Sequence, residues 1–303
     1  MKRVLLGACA LVMSMAAHAE LRIGVTVGNL DNYISYLVGA MQDQAKKSPD
    51  GVRLQVEDSA SDVGRQLSQV ESFINQKVDA IIVNPADTAA TQRITAKVRE
   101  AGIPLVYVNS RPEVDTLPAG VVFVGTDERA IGRMQMQYLA EKMNGKGHLA
   151  IILGRLAHSD TRKRTDGVKD VLQQFPDIKV VEQQSGDWQR DQGMNIMNSW
   201  VVSGEQIDAV ASNNDEMGIG AAMALKAAGQ SNVLVGGIDG TPDGLMAIKN
   251  KMLTVSVFRD PVAMGAKAVD TAVALINKQP IQGDVWLPTQ LVTAENYQQF
   301  ARP

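Results

Sequence analysis

His148 and His158 are the only histidines beyond residue 18, and Cys9 is the only cysteine in the chain of 303 residues. No cluster of histidine or cysteine ligands for a metal can be assembled from so few donors. No Gly-x-Ser-x-Gly elbow occurs, and His158-Ser159-Asp160 carries triad residue types in a run whose members cannot reach triad geometry on one another. Gly236-Gly237-Ile238-Asp239-Gly240 lacks dinucleotide-loop spacing, and no phosphate-cradling lysine follows any glycine loop. Paired carboxylates have almost no specificity among 33 acidic residues. The residues point to neither a cofactor nor a metal, and make no positive case for an enzyme. What remains is hydrogen-bonding chemistry. Asp31, Asn84, Asp87, Asn109, Arg111, Asn214 and Asp239 each follow an apolar, strand-like run. Side chains so placed are the ones to inspect for a solute, because ligands of open parallel sheets bind outside the carboxyl ends of the strands. Asp87 and Asp215 read more simply as caps of the helices that follow them.

The elements that must hold these residues alternate along the chain. Strand-like runs fall at 21–27, 52–58, 80–84, 104–109, 121–125, 148–153, 179–184, 209–212, 233–238 and 253–258. Amphipathic helical stretches between them include 34–47, 63–75, 91–101, 130–143, 167–174, 194–202 and 217–228. Ala80-Ile81-Ile82-Val83 is continuously apolar, the pattern of a strand buried on both faces, so parallel sheets covered by helices are expected. The alternation predicts a doubly wound α/β fold. A repeat divides it: Val78-Asp79-Ala80-Ile81 returns as Ile207-Asp208-Ala209-Val210, and Ala101-Gly102 as Ala228-Gly229. Two similar halves predict two similar lobes.

The first 19 residues read as a secretory signal peptide: Lys2 and Arg3, an apolar stretch over 4–15, then Ala17-His18-Ala19 as a small-x-small cleavage site before Glu20. Leu6-Gly7-Ala8-Cys9 resembles a lipoprotein box, but it would leave too short an apolar region. Cleavage after Ala19 removes the cysteine, so the mature chain is held by its core rather than by disulfides. Thirty basic residues face 33 acidic ones, with no basic block, so nucleic acid is not an expected partner.

Asn213-Asn214-Asp215-Glu216-Met217 and Gly237-Ile238-Asp239-Gly240-Thr241-Pro242-Asp243-Gly244 carry a resemblance. So do Gln66-Leu67-Ser68-Gln69-Val70-Glu71, Val83-Asn84-Pro85-Ala86-Asp87-Thr88-Ala89-Ala90-Thr91 and Gln135-Met136-Gln137-Tyr138-Leu139-Ala140. The chain resembles the ribose-binding-protein family of periplasmic solute receptors, from about Arg22 to about Ala294, and within it the inositol- and rhizopine-binding subgroup. The resemblance implies a type I periplasmic binding protein: two Rossmann-like lobes with parallel sheets, joined by a three-crossover hinge. The first lobe would take residues 20–126 plus 260–287 and the second 127–259 plus 288–303, with crossovers near Gly125-Thr126-Asp127, Arg259-Asp260 and Pro288.

Carried over by position, the resemblance implies a ligand pocket of Asp31, Tyr33, Asn109, Ser110, Arg164, Trp188, Asn214, Asp239 and Arg259. Tyr33 and Trp188 would be stacking aromatics, and the others hydrogen-bonding groups. Ser110 stands where the family usually has an arginine and Arg259 where it usually has glutamine, with Arg111 at hand to substitute in part. Flat rings suit the C–H faces of a polyol, and charged planar groups suit its hydroxyl rim. The plainer readings are half-buried aromatics for Tyr33 and Trp188 and a solvated arginine for Arg164. The implied function is capture of a cyclitol such as myo-inositol for an inner-membrane ABC permease, with a chemotaxis transducer as a further partner. A pentose, hexose or sugar acid is the alternative ligand. Other classes are a ligand-sensing regulator, which would need a DNA-binding headpiece where the signal peptide stands, and a periplasmic carbohydrate enzyme, recognisable by turnover.

Overall fold

The computed structural model describes residues 20–49, 51–281 and 283–301. The segment read as a signal peptide, with Cys9, lies outside the described residues. Among the described residues no helix is long and apolar enough to cross a membrane.

The chain begins β1 (Leu21–Val27), α1 (Asn32–Lys47), β2 (Val52–Asp58), α2 (Val63–Asn75), β3 (Ala80–Asn84), α3 (Thr91–Glu100), β4 (Leu105–Asn109), β5 (Val121–Gly125). It continues α4 (Glu128–Lys142), β6 (Lys146–Leu153), α5 (Ser159–Leu172), β7 (Asp177–Ser185), α6 (Arg190–Ser203), β8 (Ala209–Ser212), α7 (Asp215–Ala227), β9 (Leu234–Gly236), α8 (Pro242–Lys249), β10 (Ser256–Arg259). It closes with α9 (Pro261–Ile276), β11 (Val285–Trp286) and β12 (Thr289–Val292). Two parallel sheets result, ordered β11-β5-β4-β3-β1-β2 and β7-β6-β8-β9. These are two α/β lobes, each built on a parallel sheet, as expected. The expectation of parallel sheets has one exception, the antiparallel ribbon of β10 and β12, which bridges Gly236 and Asp239 through Val255 and Phe258.

The cores follow from sequence. β3, β4 and β5 are buried along their whole length, as continuous apolar runs require. On one face of the first sheet Val25, Ile82 and Val108 pack with Leu37, Met41, Met264 and Ala268 of α1 and α9. On the other, Ile81 and Phe123 pack with Val70, Phe73 and Val98. The second sheet is covered likewise, by Trp200, Met217 and Leu225 on one face and by Met136, Leu139 and Val168 on the other. Each buried Val, Leu, Ile, Phe or Met among them contributes about 1.5–3 kcal/mol by leaving water.

Helix starts are fixed by side-chain caps at Asp31, Asp62, Asp127, Asn214, Thr241 and Asp260. Asp87 does not cap the helix that follows it: Ala90 stands at the N-cap of α3 without a side-chain bond, and Asp87 instead accepts from the Ala89 N–H in the preceding turn. Asp215 departs from the reading as a cap: Asn214 holds the cap, and buried Asp215 accepts from Ser256 Oγ and Thr241 N instead. α5 begins eight residues before the expected start at 167, because its first two turns bury polar residues that show no apolar periodicity.

Glycines set the helix pairs of the second lobe. A Cβ on Gly132 would overlap the Arg164 carbonyl, and one on Gly167 the Arg129 carbonyl, so α4 and α5 meet backbone to backbone. Gly193 and Gly220 meet the carbonyls of Met217 and Arg190 in the same reciprocal way, joining α6 to α7.

Candidate functional site

Both sheets reverse their strand order beside their first strand, and the loops at the carboxyl ends of the strands face one another there. Between them lies a cavity of about 440 Å³. From the first lobe, Asp31 lines it while capping α1 through the Ile34 N–H at 2.9 Å, and burial raises its pKa. Tyr33 lies under the Arg259 guanidinium, 4.9 Å from ring centre to Cζ, and burial keeps its phenol protonated well above the usual range. Asn109 ends β4 with φ 67°, and its Oδ1 accepts from Arg259 Nη2 at 2.8 Å.

From the second lobe, Arg164 is 2% exposed. Its Nε donates to Glu128 Oε2 at 2.6 Å, its Nη1 to the Asn213 carbonyl, and its Cζ lies 5.4 Å from the Trp188 ring. Arg164 Nη2 has no partner among the described residues. Trp188, at φ 71°, packs against Gly154, where a Cβ would overlap the indole. Asn214 accepts from the Met217 N–H at 3.0 Å and donates to the Trp188 carbonyl at 3.1 Å. Asp239 sits at φ 121°, a backbone region that costs a side chain roughly 1–3 kcal/mol and so marks a constrained position. Its Oδ1 accepts from Arg259 Nη1 at 3.1 Å, and its Oδ2 has no partner among the described residues.

Arg259 is 1% exposed and is the hub. Besides Asn109 and Asp239 it donates from Nε to Thr126 Oγ1 at 2.9 Å and from Nη2 to Glu128 Oε1 at 3.0 Å. Glu128 thus lies between two guanidiniums. Burial alone would raise its pKa, but Arg164, Arg259 and the Thr126 hydroxyl outweigh it and hold the carboxylate below its ordinary value. Asp239 goes the other way: burial outweighs both arginines and lifts it to about 6. Asp160 is also raised, by burial and then by the Glu128 charge; its Oδ1 is buried without a partner among the described residues, while Oδ2 accepts from Ser110 Oγ.

Arg155, Arg164, Arg190 and Arg259 therefore face Asp31, Asp160, Asp191, Glu216 and Asp239 around the cavity, with Glu128 behind. Arg164 and Arg259 pair with Glu128 and Asp239, and Arg190 with Glu216 and Asp243, whereas Arg155 donates to the Ser61 hydroxyl. Among the described residues no group of three or more histidine, cysteine or acidic side chains is arranged to hold a metal.

Of the residues expected in the pocket, all but Ser110 line this cavity. Ser110 is 1% exposed and lies behind the wall, bonded to Asp160 and Asn109. It is not a cavity-lining residue. Arg111 does not substitute for an arginine there: the turn at Asn109 sends it outward, where Nε pairs with Asp284 at 2.8 Å and Nη1 bonds the Val114 carbonyl. Asn84 touches the cavity but is spent on structure, its amide joining Gly28 N and the Val108 carbonyl. The reading of Arg164 as solvated is overturned by its burial. Sequence reasoning missed Glu128, His158, Asp160, Arg190 and Glu216. The polar run from His158 to Thr165 on an otherwise buried helix was the signal that could have found two of them.

The model of the periplasmic binding protein domain matches residues 23–280. A Rhizobium meliloti protein named "Putative rhizopine-binding protein" is 43% identical, covering 99% of both chains. The ribose import binding protein of Bacillus subtilis is 31% identical over 90% of this chain and 88% of that one. Among solved structures, an ABC transporter solute binding protein from Bacillus halodurans with bound myo-inositol is 38% identical. It superposes with a TM-score of 0.89, covering 94% of this chain and 98% of that chain. The chain belongs to the periplasmic binding protein domain family.

Proposed function

We propose that the chain is exported, cleaved after Ala19, and serves as the periplasmic solute-binding component of an ABC importer. It takes an uncharged cyclitol such as myo-inositol into the cleft and hands it, unaltered, to an inner-membrane permease. The observation that carries this reading is the state of the two buried guanidiniums. Arg164 and Arg259 lie over aromatic rings and are ion-paired to Glu128 and Asp239, yet Arg164 Nη2 and Asp239 Oδ2 keep free valences at the cavity. A neutral polyol satisfies such a site, accepting from the guanidinium and donating to the carboxylate. An anionic sugar acid meets carboxylates whose counter-charges are already taken.

In this reading Asp31, Asn109, Asn214 and Arg259 position hydroxyls, and Tyr33 and Trp188 give the flat walls. The two lobes take 20–126 plus 260–287 and 127–259 plus 288–303. The pairing of β11 with β5, and of β12 with β10, supports that division. Closure about segments near 126, 260 and 288 expels water, and the bonds then form in a dry site. A pentose or hexose in the same role is the second reading, favoured by the likeness to the ribose import protein.

Calorimetry on ligand-stripped protein with myo-inositol, D-ribose and D-glucuronate tests this. One site of micromolar or better affinity for myo-inositol, about −8 kcal/mol, is expected. Binding of ribose alone would overturn the cyclitol, and preference for glucuronate would overturn the neutral ligand.

A further inference from the structure

His158 precedes the first turn of α5 and touches both lobes. Its Nε2 lies 3.2 Å from the carbonyl of Ala86, in the loop after β3, and its Nδ1 lies 3.1 Å from the indole Nε1 of Trp188, after β7. The indole N–H can only donate and the carbonyl can only accept. Together they require the neutral ring with its proton on Nε2 and a lone pair on Nδ1. An imidazolium carries a proton on both nitrogens and cannot accept from the indole. Trp188 and Asp187 both hold positive φ, at 71° and 50°, so the indole stands on a turn that its own backbone does not favour. Its fixed points are Gly154 behind it, Arg164 over its face, and His158 at its nitrogen.

We propose that His158 is a positioning residue that couples closure of the cleft to the aim of Trp188, and that ligand affinity depends on its ring being neutral. This rests on the reading that Trp188 meets the ligand. The neighbourhood fits. Burial dominates and lowers the imidazole pKa; Asp160 at the start of α5 raises it, Arg155 on the preceding loop lowers it, and Asp87 on the Ala86 loop raises it, leaving it below 6.5. Asp187 turns away to Ser185. Opening of the cleft parts the ring from Ala86 of the first lobe and rehydrates it, so its pKa moves back toward the ordinary imidazole value of about 6.5. The closed form then binds fewer protons than the open one. Closure is favoured above that value and loses up to about tenfold per pH unit below it, until the closed-state value is reached.

The test is calorimetry with myo-inositol between about pH 5 and about pH 8. It uses the mature protein and the variants His158→Gln, His158→Ala and Trp188→Ala. Glutamine can accept from the indole and donate to the carbonyl but does not titrate. His158→Gln is expected to bind within about threefold of the parent at the alkaline end and to lose the acid-side slope. His158→Ala is expected to bind weakly at every pH. Retention of the parent's slope in His158→Gln, or parent-like affinity of His158→Ala at the alkaline end, overturns the proposal. If Trp188→Ala binds like the parent, it is the reading of Trp188 as a ligand wall that fails. If myo-inositol gives no heat with any protein, nitrogen NMR of the ligand-free protein decides. His158 with its proton on Nδ1 at the alkaline end overturns the proposal, and the Nε2 tautomer supports it.

Discussion

Replacing Arg259 by glutamine tests the central electrostatic claim. The side chain makes four hydrogen bonds, to Thr126, Asp239, Asn109 and Glu128, two of them ion pairs at 3.0 and 3.1 Å between groups no more than 5% exposed. Glutamine is shorter and uncharged and offers two donors against five. Removing one member of a buried pair strands the other, at a cost of about 3–5 kcal/mol. Glu128 keeps Arg164, so the lower end, about 3 kcal/mol, is the expectation, equivalent to a Tm lower by roughly 5 °C for a chain of this size. The sign with pH follows. Glu128 has a depressed pKa, so its contribution is present above the ordinary carboxylate value and fades as pH falls through the depressed one. Without Arg259 the depression shrinks, and Glu128 takes up a proton at higher pH. Asp239, already lifted to about 6, loses the same guanidinium and titrates higher still, so the deficit of Arg259→Gln should grow from about pH 5 to about pH 8. Urea unfolding at both pH values measures it. Adding Glu128→Gln should recover at least about 1 kcal/mol relative to additivity, because the two single variants each lose the same Arg259–Glu128 interaction. A deficit under about 1 kcal/mol, or strict additivity in the double variant, would refute the account of Arg259 as a buried counter-ion.

Trp188→Ala should unfold cooperatively near the parent's midpoint but lose about 2 kcal/mol of myo-inositol affinity, roughly thirtyfold, if one indole face of about 80 Å² covers the ligand; calorimetry beside a urea melt separates the two effects. Gly220→Ala places a methyl on the Arg190 carbonyl and should cost about 1–3 kcal/mol in urea unfolding with little change in the ligand's binding enthalpy. Mass spectrometry of periplasmic extract should find an N-terminus at Glu20; a lipidated Cys9 at the membrane would overturn the cleavage site.

Strand positions were legible because fully buried parallel strands are continuous apolar words, as in Ala80-Ile81-Ile82-Val83, and the glycines after α3 and α7 mark where helices end. The convergence of Asn109, Asn214 and Asp239 was legible for a topological reason: each stands at the carboxyl end of a parallel strand. Glu128 was not. It opens α4 just past Asp127, where an acid reads as ordinary first-turn chemistry, and only the crossing of the chain between sheets sets it under both arginines. Ser110 was misplaced because position along a loop does not say which way the chain turns. The left-handed φ of Asn109 buries Ser110 and throws Arg111 outward, and asparagine tolerates that conformation without announcing it. His158 and Asp160 were weighed only as partners of each other. Their actual partners, Ala86, Trp188 and Ser110, come from distant segments.

The reciprocal glycines of the second lobe have a mechanical consequence. Where two helices touch through their backbones, no long side chain can switch rotamer to let them slide, so α4 with α5 and α6 with α7 behave as welded beams. A body built from such beams turns as one piece. A displacement of a few ångströms at the cavity is then carried undiminished to the far surface, where it grows in proportion to distance from the pivot. The permease proposed as its partner would then read an angle.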